Sequence, residues 1–332
     1  MSSTEVFSSV LTIRNHLASH VRCCHHYTET MNFTRRRFLT CSSALAATSA
    51  LPALGVQKNR KPIETFPFKL SLAQWSNHRL LFKGNLTNLD WPKYVKENYQ
   101  IDALEYVNQF FRTKAKDASY LNELNTRVND LGMTNVLIMI DGEGHIGAPS
   151  KEERIKTIEK HKKWVEAAMT LGCHSIRVNA YGKGTPFEAA KQVTDGLHQL
   201  ATFAADFGIN ILVENHGGNS SNGQWLSKVL SNVNLLNCGS LPDFGNFKEY
   251  NRYQGISELM PFAKGVSAKT HKFDGEGFEM ETDFVRALRI VREARYSGYI
   301  GIEYEGKLHT EDEGIKLTKA LLERFLPKKE EK

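Results

Sequence analysis

The sequence predicts an α/β fold: a single (β/α)8 TIM barrel behind an N-terminal signal segment. Three observations carry that reading. Eight short apolar runs follow residue 66, amphipathic stretches at helical spacing lie between them, and the units fit the roughly 250 residues such a barrel uses. An open doubly wound sheet would show the same alternation, because periodicity does not report closure.

Taken in chain order, the strand runs 68–75, 103–107 and 135–140 come first. The helix 151–171 follows, since Ile155, Ile158, Trp164, Val165, Ala168 and Met169 recur near helical spacing. Pro149-Ser150 supplies its start and Leu171-Gly172 its stop. Strand 175–178 leads into helix 187–207, which Gly208 ends. Strands 210–213, 235–241, 265–270 and 299–302 complete the eight, with helices 283–294 and 311–325 serving the last two units.

The formal charge of +6 invites a nucleic-acid partner, but it is unevenly placed. Residues 1–61 hold eight Lys/Arg against Glu5 and Glu29, so residues 62–332 balance to zero and show no global preference for polyanions. Thr34-Arg35-Arg36-Arg37-Phe38-Leu39 has the pattern of a twin-arginine export motif. A weakly apolar run rich in alanine and serine follows, too short for a stable membrane span, and Ala53-Leu54-Gly55 offers a cleavage site. Met31 stands where such a signal normally begins. The expected organisation is therefore a non-native or disordered extension at 1–30, a signal and linker at 31–61, and the barrel at 62–332. The expected location is periplasmic or secreted, with the Tat export machinery as a transient partner. Cys173 and Cys238, the two cysteines of the body, read as buried small hydrophobes.

Chemistry in such barrels sits at the C-terminal ends of the strands. Glu214, Asp243, His271 and Glu303 each close an apolar run there, at intervals of 29, 28 and 32 residues, about one strand-plus-helix unit each. Three carboxylates and an imidazole converging on one point suit a divalent metal. Lys269 lies two residues before His271 on the same strand face and is its rival for the site. Further polar strand-end residues are Glu105, Asp141, Glu143, His145, Arg177, Asn179, His216, Asn246 and Glu305. Trp75 and Phe247 are candidates to stack on a sugar ring. His145 and His216 sit in glycine-rich loops without phosphate-loop spacing.

At Val213-Glu214-Asn215-His216, Pro242-Asp243-Phe244, Thr270-His271 and Ile302-Glu303 the chain resembles the xylose isomerase-like superfamily of sugar isomerases and epimerases, over roughly residues 66–326. The resemblance implies a divalent ion bound by Glu214, Asp243, His271 and Glu303. Manganese is the first expectation, with magnesium, cobalt or zinc as others. It also implies that Glu214 and Glu303 act as paired acid and base. From their strand-end positions, Glu105, His145, Asn179, His216, Asn246, Lys269 and Trp75 are the residues expected to bind substrate. Many of those epimerases carry a histidine three residues after the strand-6 aspartate, where this chain has Asn246.

A metal gripping a carbonyl and its neighbouring hydroxyl stabilises an enediolate, and carboxylates on opposite faces then move the proton. The expected reaction is isomerisation or epimerisation of a sugar, unphosphorylated because sugar phosphates are scarce outside the cytoplasm. Two alternatives share the fold and the site: an exported lyase or hydrolase of keto-glycosides, and a non-catalytic carbohydrate-binding protein. A DNA-repair endonuclease would need more histidines and a basic surface.

Overall fold

A computed structural model describes residues 62–328. The expected extension at 1–30, the twin-arginine motif, Met31 and the cleavage site all lie outside those residues.

Eight parallel strands form one sheet: β1 (Lys69–Ala73), β2 (Ala103–Val107), β3 (Thr134–Met139), β4 (Ser175–Asn179), β5 (Asn210–Glu214), β6 (Cys238–Leu241), β7 (Val266–Thr270) and β8 (Tyr299–Tyr304). Their order is β6-β5-β4-β3-β2-β1-β8-β7. Closure comes at the β6–β7 seam, through the isolated parallel bridges Ser240–Ala263 and Asp243–Ser267. Phe244 N donates to Ser267 O at 3.0 Å, and Ser267 N to Pro242 O at 2.9 Å. The sheet is therefore a barrel, and the open-sheet alternative fails.

The helices are α1 (His78–Phe82), α2 (Trp91–Tyr99), α3 (Ala118–Asp130), α4 (Lys151–Leu171), α5 (Pro186–Ala205), α6 (Gly223–Val233), α7 (Arg252–Leu259), α8 (Phe284–Glu293) and α9 (Glu311–Glu323). Their ends have local causes. Ser150 caps α4 through Glu153 N, and Gly172 closes it in the left-handed conformation. Thr185 with Glu188 and Thr310 with Glu313 form capping boxes on α5 and α9.

Alternation along each strand divides the core in two. Outward side chains pack under the helices in a large cluster that includes Tyr106, Trp164, Phe244, Phe284 and Tyr304. Inside the barrel a smaller cluster contains Ala73, Val107, Leu137, Met139, Leu212 and Leu241. Cys173 and Cys238 are buried and free, as expected. Strand 6 is shorter than the run 235–241 suggests. Its first three residues form a turn, and Leu236 is 97% exposed.

Candidate active site at the barrel mouth

Glu214 ends β5, Asp243 follows β6, and Glu303 lies in β8. All three are buried, and one oxygen from each falls within 4.8 Å of the others. Their supports come from neighbouring strands. Arg177 on β4, with its side chain 4% exposed, places Nε 2.9 Å from Glu214 Oε2 and Nη1 2.9 Å from Asp141 Oδ1. Asn179, two residues on, donates to the same Asp141 oxygen at 2.7 Å. Asn246 donates to Glu214 Oε1 at 2.9 Å. Asn215 clamps the Asp243 backbone, donating to its carbonyl at 2.9 Å and accepting its N–H at 2.7 Å. Gly245 N holds Asp243 Oδ1 at 2.7 Å.

The strand-7 contribution corrects the expectation. Lys269, in register with Glu303, enters the cluster: its Nζ lies 3.5 Å from Asp243 Oδ2, 3.6 Å from Glu303 Oε1 and 2.9 Å from Glu305 Oε1. His271 does not. It follows the end of β7, half-buried, and groups with Glu279 and Glu281 instead. The chain turns away there because the buried Glu279 carboxylate anchors the next loop, accepting N–H groups from His271, Lys272, Glu281 and Thr282. Ser267 is the residue that sequence reasoning missed. Its Oγ is 2.8 Å from Asp243 Oδ2 and 2.7 Å from Glu303 Oε2. Its position two residues before Lys269, on the same face, is the one sign of it in the sequence.

The electrostatics separate the carboxyl groups. Burial pushes Asp243 well above the usual carboxylate range, against the pull of Lys269 and helped by the repulsion of Glu303 and Glu214. Burial would also raise Glu303, but Lys269, the Ser267 hydrogen bond and Arg177 more than offset it and hold Glu303 low. A hydroxyl has one proton to give. The Ser267 hydroxyl, placed between the two carboxyl groups, shares its one proton between Asp243 Oδ2 and Glu303 Oε2. Burial would lower Lys269, yet Asp243, Glu303, Glu214 and Glu305 keep it well above its ordinary value, hence charged. Asp141 reaches about 2, because Arg177 and Asn179 overcome the effect of burial.

Glu105 lies deeper, and its Oε1 accepts from Ser71 Oγ at 2.5 Å. Gly301 leaves the room it occupies, since a Cβ there would sit 2.6 Å from Glu105 Oε1. Burial pushes its pKa up to about 8, with Glu303 and Glu214 adding to the rise against the Ser71 bond. A carboxyl protonated in the fold and ionised in the unfolded chain stabilises the fold below pH 4.5. That contribution is lost between pH 4.5 and about 8, at about 1.4 kcal/mol per pH unit. Glu105→Gln is expected to flatten this part of the stability–pH curve, measured by urea unfolding at stepped pH. An unchanged slope would show that Glu105 is not its source.

The other expected substrate contacts differ in exposure and surroundings. His216 is half-buried, with Tyr181 Oη 3.0 Å from its Nδ1. His145 is exposed, its ring edge-on to Tyr181. Trp75 is half-buried, stacked on His78 and in contact with Phe82 and Phe110. Those two phenylalanines help line an open hollow of about 650 Å³ to which none of the three carboxylates contributes. Phe247 is no sugar platform: it is 1% exposed and packed where a Cβ on Gly255 would lie 2.1 Å away.

Comparison with known proteins bears on the same fold. The sequence profile described as "Xylose isomerase-like TIM barrel" matches residues 97–325. The apo 3-keto-D-glucoside 4-epimerase of E. coli is 17% identical with a TM-score of 0.58, over 71% of this chain and 93% of that one. A D-psicose 3-epimerase solved in the presence of D-fructose is 14% identical with a TM-score of 0.64, over 78% and 99%. The IOLI protein with a bound zinc atom is 17% identical with a TM-score of 0.63, over 78% and 98%. At these identities the likeness is one of fold. Comparison with curated proteins gives no match.

Proposed function

The chain belongs to the xylose isomerase-like TIM-barrel family, and from that premise we propose that it is a sugar isomerase or epimerase moving a proton beside a carbonyl. The observation that carries this reading is the convergence of Glu214 and Glu303 with Asp243 at the barrel mouth. Solved structures of similar fold that are named as sugar epimerases support it.

The cluster also meets the requirements of a divalent cation. Three carboxylate oxygens within 4.8 Å of one another offer hard donors. An all-oxygen set without imidazole favours manganese or magnesium over zinc or cobalt. When bound, such an ion would act as a Lewis acid on the substrate's carbonyl and hydroxyl oxygens.

The chain's own groups do the rest. Glu303, kept ionised by Lys269, removes the proton from carbon. Glu214, fixed by Arg177 and Asn246, serves the opposite face. Asn179 and His216 edge the same mouth and are placed to meet substrate hydroxyls. Arg177 and Lys269, the two buried cations there, are both engaged by carboxylates, which favours an unphosphorylated sugar. The twin-arginine pattern supports the same choice, since an exported protein would meet few sugar phosphates. No helix among the described residues is long and apolar enough to cross a membrane.

The test is solvent exchange. The protein, supplied with Mn2+ in D2O, is given unphosphorylated ketoses and 3-keto-glycosides. Deuterium is expected on the carbon beside the carbonyl, read by NMR or mass spectrometry. A panel showing no incorporation would sink the reading, and loss of an aglycone would redirect it to a lyase.

A further inference from the structure

The ammonium of Lys269 lies among the carboxylate oxygens that the proposed function gives to a cation. It is within 3.6 Å of both Asp243 and Glu303, and its side chain is 3% exposed. The position is built into the fold. Gly245 leaves space for the lysine stem, since a Cβ there would come 2.9 Å from Lys269 Cδ and 3.0 Å from its Cγ. Strand pairing sets Lys269 directly beside Glu303. The closest partner of Nζ, however, is Glu305 at 2.9 Å, a half-buried residue outside the trio.

A dication and an ammonium repel, and the two would draw on the same carboxylates, Asp243 and Glu303. We infer that Lys269 competes with a divalent cation for Asp243 and Glu303, and that Glu305 is the alternative partner that receives the ammonium when the cation enters. The lysine then sets how tightly the site takes metal, and Glu305 sets how readily the lysine yields. Removing the lysine leaves Asp243 and Glu303 without their nearest positive charge and raises their demand for a cation. Removing the Glu305 charge leaves the ammonium nowhere to go but the trio.

This rests on Glu214, Asp243 and Glu303 as cation donors, and not on the reaction they perform. The test is titration of the purified protein with Mn2+, following the free-ion electron paramagnetic resonance signal, so no substrate is needed. Lys269→Met is expected to bind Mn2+ at least tenfold more tightly than the wild type. Glu305→Gln is expected to bind it severalfold more weakly. Equal or weaker binding by Lys269→Met, or equal or tighter binding by Glu305→Gln, overturns the competition. Circular dichroism checks folding, and if Lys269→Met does not fold, the half-buried Glu305→Gln decides alone. If neither the wild type nor the variants bind Mn2+, the competition and the cation site fall together, while solvent exchange judges the proton transfer separately.

Discussion

Glu303→Gln is expected to lower turnover of the cognate sugar by about 10³-fold, in the range typical of a lost general base. The change preserves shape and removes the negative charge. Ser267 keeps an oxygen to donate to, whereas Lys269 loses one of the charges that hold it. KM is expected to move far less than kcat, because the missing interaction belongs to the proton-transfer step. Steady-state kinetics alongside solvent deuterium exchange give the measurement. An equal fall in both kcat and exchange supports Glu303 as the base. Unchanged exchange would assign that role elsewhere, with Glu214 next in line.

Arg177→Met is expected to cost about 3–5 kcal/mol of stability, the usual penalty for removing one partner of a buried ion pair. The guanidinium is shared between Asp141 and Glu214, so its loss strands two carboxylates at once. Urea unfolding at pH 7 measures it, and a loss below 1 kcal/mol would mean that water compensates. The acid side gives an independent check. Asp141 sits at about 2 in the fold against an ordinary value of 3.8, so it stabilises the protein above pH 3.8. That stability, roughly 2 kcal/mol, disappears as the pH falls through 2. In the variant the step is expected to shrink or vanish.

The barrel was legible because its strands are short, mostly buried runs punctuated by glycine and by caps. Thr185 with Glu188 marks α5 in the sequence as plainly as in the structure. Composition misled at residues 235–237, where Leu235 and Leu236 enter a turn and Leu236 faces solvent. Three of the four residues first singled out do meet, since each lies at or beside the C-terminal end of a strand and those ends converge in a barrel. His271 failed because alternation continues only while the strand does, and β7 stops at Thr270. Ser267 was illegible for a different reason. One serine in an apolar strand carries no mark of its partners, and both of them lie more than twenty residues away in sequence.

The β6–β7 seam gives the site an unusual mechanical standing. Elsewhere the strands are joined by continuous ladders of two to five registered pairs, but here the ring is fastened by two isolated bridges, one of them Asp243–Ser267. The clasp of the barrel and the Asp243 end of the site are thus a single part. A substitution at either residue that retunes reactivity also removes the one side-chain bond that backs the bridge. Closure in turn fixes the spacing of the acids across the mouth, so rigidity and chemistry at this seam have to change together.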